Sequence, residues 1–307
     1  MTRAYQTGLG LAELMVALLL GLLAALAAGS MLVAANRSFG AHASGAALEE
    51  GGRFAIELIA RSARQSAYVD LDRDAAAELA DAKPARVMGL DARSLERNSP
   101  GMDDPQPAVA NGSDVLALRF AGSGPAPDGD GSALSCAGFP VHADEDGWSI
   151  FFVANSAMGT PELRCKFRGN SGWGADALVS GVDSFQVLYG VDTDGDGVPN
   201  GYLSATAVRA LDGAIVAAGA TDAARVRDLN RRSFWKRVVS IKVALLLHGD
   251  EAPGGPLAST EYRLFGPAYD GAGDPGTTVR EADLERSMRQ RERRLFAATI
   301  VLRNAAQ

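Results

Sequence analysis

The stretch "DTDGDGVPNGYL" (192–203) carries the densest chemistry in the chain. Asp192, Asp194 and Asp196 alternate and are followed by Gly197, so one tight loop can turn three carboxylates toward a common point. Oxygen ligands at positions 1, 3 and 5 ahead of a glycine are how a calcium loop begins. Val198 would offer its carbonyl at position 7, and Asn200 would serve at position 9, directly or through water. Position 12 is Leu203, where a bidentate glutamate is wanted. A Ca²⁺ site here is therefore weak unless a remote carboxylate completes the shell. The competing reading is an acidic hairpin loop, because Asp and Gly favour turn geometry without any metal.

A second carboxylate stands where charge is costly. "GLGLAELMVALLLGLLAALAAG" (Gly8–Gly29) is small or apolar everywhere except Glu13. A charge inside hydrocarbon costs a few kcal/mol, so it is rarely there without a purpose. No charge follows from Leu14 to Ala35, a run long enough to cross a bilayer as a helix. Arg3 is the only charge upstream, which favours a cytoplasmic N-terminus and an exported body. A secretory signal peptide cut near Ala25-Leu26-Ala27 is the rival, and Glu13 speaks against it because such segments keep an unbroken apolar centre. Cys136 and Cys165 would form a disulfide in an exported body, the alternative being two unpaired core thiols.

Composition narrows the function classes. The net charge of −7 argues against general nucleic-acid or anionic-lipid binding, which needs a basic surface. His42, His142 and His248 are far apart. No phosphate loop, nucleophile elbow or zinc-type cluster appears, so no enzyme is expected. The 35 glycines suggest a body with many turns.

The elements that must position these groups follow from periodicity. "ALEEGGRFAIELIARSARQSAY" (47–68) continues the apolar helix as an amphipathic one. Phe54, Leu58 and Ile59 take one face with Ala55 and Ala63 nearby, Glu57, Arg61 and Arg64 lie toward the other, and Glu57–Arg61 is an i,i+4 pair. Gly51-Gly52 is a candidate bend. Residues 69–114 read as an irregular connection. Strand patterns occupy 115–120, 149–154, 163–167, 184–191, 238–247 and 295–302, the fifth apolar on both faces as a central strand is. "ERSMRQRERRLF" (285–296) reads as a solvated helix face, and Trp235 as core. Strands without alternating helices predict an α+β chain, a long N-terminal helix packed on antiparallel sheet.

Gly8-Leu9-Gly10-Leu11-Ala12-Glu13 resembles the processing site of type IV prepilins, in which a short basic leader ends in glycine and a glutamate stands fifth in the mature chain. The usual first mature residue is phenylalanine, and here it is Leu9. The resemblance implies cleavage by prepilin peptidase, methylation of the new terminus, and a Glu13 able to pair with the amino group of a neighbouring subunit. "EEGGRFAIELIARSARQSAY", "VLYGVDTDGDG" (187–197), "WKRVVSIKVALLL" (235–247) and "RRLFAATIVLRN" (293–304) are similar to blocks of PilW-like minor pilins, themselves similar to J-type pseudopilins of type II secretion. What this implies is a leader at 1–8, a membrane or filament-core helix at 9–35, its amphipathic continuation at 36–68, the connection at 69–114 and a periplasmic β-rich body at 115–307. The expected partners are other minor pilins, the major pilin, the peptidase and the inner membrane, with assembly into a cell-surface pilus. A J-type pseudopilin and a membrane-tethered periplasmic calcium-binding module are the alternatives.

Overall fold

The computed structural model describes residues 10–66, 83–169, 171–249, 260–289 and 291–302. Gly8 and Leu9 lie outside the described residues. Helix α1 (Leu11–Ser66) starts with a local reason for doing so. Glu13, third residue of the helix, turns its carboxylate back to accept the Gly10 N–H at 3.0 Å, while the Gly10 carbonyl accepts from Glu13 and Leu14. That satisfies one of the donors a helix start leaves unpaired and puts a negative charge at the positive end of the helix dipole. Leu11, Leu14, Leu18, Leu22 and Leu26 are each more than half exposed. The helix is long and apolar enough to cross a membrane.

The chain divides into two compact units, Met1–Ala47 and Leu48–Gln307. Within the second, the remaining turns of α1 bury a stripe at Leu48, Gly52, Ala55, Ile59 and Ala63, the spacing of one helix face. Phe54, expected on that face, is half exposed. The face is built on small residues, which hydrophobicity alone does not weigh, and this turns the phase of the stripe. Glu57 approaches Arg64 at 3.8 Å, where Arg61 was expected. Gly52 serves close approach: a Cβ there would sit 2.2 Å from the Phe296 ring.

The body holds two antiparallel sheets. One has the order β1-β4-β5-β6-β7, made of Val87–Leu90, Val115–Ala121, Asp146–Asn155, Pro161–Gly169 and Gly172–Ser180. The other has the order β13-β10-β8-β9, made of Arg293–Val301, Val238–His248, Val182–Val191 and Gly201–Leu203. Two ribbons complete it: β2 (Arg93–Ser94) with β3 (Gln106–Pro107), and β11 (Glu261–Arg263) with β12 (Thr278–Arg280). Helices α2 (Ala205–Gly213) and α3 (Asp222–Arg232) join β9 to β10, with Ser204 and Thr221 as hydroxyl N-caps. The architecture is α+β, a long helix with antiparallel sheet, as expected.

One core joins the stripe of α1 to both sheets through Leu116, Leu118, Phe151, Val153 and Leu163 on one side and Phe185, Val187, Ile241, Val243 and Leu245 on the other. Every residue of β8 is buried. Strand β10 is apolar on both faces because Ala244 and Leu246 point away from this core into a second cluster with Leu264 and Val279, next to the β11–β12 ribbon. The other face of the first sheet is covered by Leu95 and Met102 against Val115, Ile150 and Phe152.

Two expectations fail. The connection at 69–114 is not irregular throughout, for its described part contains β1, which pairs with β4, and the β2–β3 ribbon. The strands are short and the segment is rich in Pro and Asp, so no periodicity announces them. The Arg-rich stretch 285–296 is not a helix: residues 286–289 form a turn and Arg293 begins β13. A buried arginine in a run of solvated ones cannot be told from sequence.

Gly89 of β1 gives a sharp test of this packing. A Cβ there would lie 1.9 Å from the hydroxyl of fully buried Tyr189 and 2.6 Å from the Val115 carbonyl oxygen of the neighbouring strand. The strand backbone cannot yield cheaply, so Gly89→Ala is expected to destabilise the protein by about 3 kcal/mol. Denaturant unfolding measures this. A loss below about 0.5 kcal/mol would contradict the packing.

Candidate functional site

The acidic loop between β8 and β9 is held by its first aspartate. Asp192 accepts backbone N–H groups from Asp194, Gly195 and Gly197 at 3.2, 2.6 and 2.8 Å. The Gly197 and Gly195 amides hold its carboxyl below the usual range. Gly195 and Gly197 take φ of 84° and 81°, a left-handed backbone that glycine adopts without strain. The loop brings carboxylate oxygens of Asp192, Asp194 and Asp196 within 4.8 Å of one another. The other two predicted ligands fare differently. Val198 is exposed in the loop, its N–H donated to Asp196. Asn200 accepts the Thr193 N–H at 2.6 Å through its side-chain oxygen and donates its amide to Asp194 at 3.1 Å, so it braces the loop. Leu203 pairs with Tyr189 and packs on the core. Among the described residues no other acid, His or Cys joins the three. The donor set is three carboxylates with turn geometry already formed, and it fits a hard cation held loosely.

Cys136 and Cys165 form a disulfide with Cα atoms 5.9 Å apart. It fastens the long β4–β5 connection to β6 and, by loop entropy, contributes roughly 3 kcal/mol.

Two further polar clusters are visible only in three dimensions. At the ends of β8, β10 and β13, Asp183 lies 3.0 Å from His248 Nδ1 and 2.6 Å from Arg293 Nε, and Arg293 reaches Glu281 at 3.5 Å. This buried network pins the sheet end and explains Arg293. The other cluster joins Asp91, Asp114 and Asp274, whose oxygens also lie within 4.8 Å of one another. Asp91 accepts the Ala205 and Thr206 N–H groups at the start of α2. Asp114 accepts from Ala92 and Val187. Asp274 accepts the Tyr269 hydroxyl. Burial pushes Asp114 well above the carboxylate range and Asp274 up to about 6. No motif could have exposed this set, because its members are spread from residue 91 to residue 274.

Trp235 is core, its ring 4.8 Å from that of Tyr189, as expected. Residues 150–304 match the family PilW, Type IV Pilus-assembly protein W. The chain belongs to the PilW family. Among solved structures, this PilW-family chain is similar to the type IV-like pilin TTHA1219 from Thermus thermophilus, at 13% identity and a TM-score of 0.30, over 77% of this chain and 95% of that one. No curated protein matches it. The PilW match runs from within β5 through β13 and includes the acidic loop, Cys165 and the Asp183–His248–Arg293 network. It places the chain among pilus-assembly proteins, a structural class.

Proposed function

We propose that the chain is a minor pilin, cut between Gly8 and Leu9 by prepilin peptidase and methylated on Leu9. It is held in the inner membrane with its body in the periplasm, then built into a type IV pilus that it helps initiate or cap with other minor pilins alongside the major pilin. One observation carries this reading. Apolar side chains from Leu11 to Val33 of α1 are exposed all round the helix, and Glu13 is the one acidic residue among them. A helix apolar on every side is buried somewhere, in lipid or among like helices. Its single carboxylate is tolerable there when it meets a partner charge, which the Leu9 amino group of a neighbouring subunit would supply.

Mass spectrometry of the protein purified from membranes tests the processing step. The expected N-terminus is Leu9 bearing one methyl group. A terminus at Ala28 or Gly29 would mean a secretory signal peptide and would overturn the assembly reading.

The acidic loop is proposed as a weak Ca²⁺ site on the body. Three converging carboxylates repel one another, and a cation that binds only the folded loop stabilises it by mass action. Full-length protein in detergent is expected to melt at a higher temperature in several millimolar calcium than in chelator, with Kd about 10⁻⁴ to 10⁻³ M. Asp194→Ala should remove this loop's share of the shift while leaving the chelator melt nearly unchanged. Asp192→Ala should lower the chelator melt as well, because its oxygens hold the turn. An Asp194→Ala protein with the full calcium shift would leave the loop as a turn and nothing more.

A further inference from the structure

The cluster of Asp91, Asp114 and Asp274 has no part in the assembly reading, and its chemistry is unbalanced. It joins the turn after β1, the entry to β4 and the C-terminal loop before β12. The donors to its oxygens are the backbone N–H groups of Ala205, Thr206, Ala92 and Val187 and the Tyr269 hydroxyl, none of them charged. Among the described residues one acceptor is left over: Asp274 Oδ1 is buried with no hydrogen-bond partner, on a residue only 6% exposed. Asp114, at 2%, is buried as well. An orphaned carboxylate oxygen beside two further carboxylates lacks an electron-pair acceptor. A water molecule would satisfy that oxygen but leave the charges, whereas a divalent cation answers both. Protons on Asp114 and Asp274 are the rival solution.

We propose that Asp91, Asp114 and Asp274 form a second, interior divalent-cation site, selective for calcium over magnesium. Oxygens within 4.8 Å of one another can share one ion. Calcium suits such a set better than magnesium, because its shell of six to eight oxygens is flexible, whereas magnesium demands near-ideal octahedral geometry and keeps several waters. Bound there, the ion ties together three segments distant in sequence. The loop before β12 is also the one whose Pro275 and Gly276 lie against Gly112 and Asn111, so the cation would lock that loop onto the β4 entry.

The test is calcium-binding stoichiometry of the full-length protein in detergent, by equilibrium dialysis with radiocalcium. The Asp194→Ala background silences the acidic loop and separates the two sites. That protein is expected to retain one equivalent of calcium, with magnesium competing poorly. Adding Asp274→Asn should weaken binding about tenfold or more, since ligand charge sets calcium affinity. Asn keeps the size and removes a repelling charge, so the chelator melt should hold or rise. Should Asp274→Asn fail to fold, half-buried Asp91→Asn gives the same readout. No calcium bound by the Asp194→Ala protein at several millimolar would overturn the proposal in favour of protonated acids. Calcium binding unchanged by both Asn variants would overturn it too.

Discussion

The body depends on one contact, the stripe of small residues on α1 set between two sheets. Gly52, Ala55 and Ala63 present almost no side chain, so the helix backbone comes close to Phe296 and the inner strands. Around that line Ile59, Phe151, Phe185 and Leu245 are fully buried. Each such side chain contributes about 1.5–3 kcal/mol of transfer free energy, offset in part by the entropy of ordering it. A larger residue on the stripe would push helix and sheet apart and open the core, which neither sheet could close alone. The helix therefore completes the body.

The polar groups obey the same constraint in another form. A body that seals both faces of β10 must place charges where water does not reach, and it does so in sets. Asp183 and Glu281 share the Arg293 guanidinium at the end of the second sheet, where Asp183 also bonds the His248 ring. Arg119 is paired with Asp146 at 2.7 Å and anchored to the Pro84 carbonyl. Breaking one member of such a set strands a buried charge, which costs more than the pair contributes. The three aspartates around Asp114 are the exception, carboxylates that no cationic side chain pairs with among the described residues, and the chemistry proposed for them follows from that contrast.

Much of this was legible in the sequence. The six strand patterns lie within β4, β5, β6, β8, β10 and β13, the last reaching one residue beyond Val301. The acidic loop, the cysteine pair and the apolar helix with Glu13 are where residue type and spacing put them. What escaped has physical reasons. Ala and Gly carry little hydrophobic signal, so periodicity turns the expected face of α1 toward Phe54 and away from the buried stripe. Strand β7, "GWGADALVS", has glycines where a strand pattern wants branched residues. Helices α2 and α3 are short and capped by single hydroxyls. Asp91, Asp114 and Asp274 meet only through tertiary structure, and spacing cannot report them.

The proposed assembly rests on the apolar half of α1 as the packing surface and on Glu13 fixing its register by pairing with a neighbour's amino terminus. Among the described residues Glu13 meets only the Gly10 amide, a bond a glutamine could also accept. A charge-removing but isosteric Glu13→Gln therefore separates capping from pairing. The decisive measurement is the amount of this protein in sheared pilus fractions from cells making Glu13→Gln, set against its amount in the membrane. Pairing of Glu13 with a neighbour predicts a protein that is made, processed and inserted but missing from the pilus. Incorporation equal to the unaltered chain would contradict it.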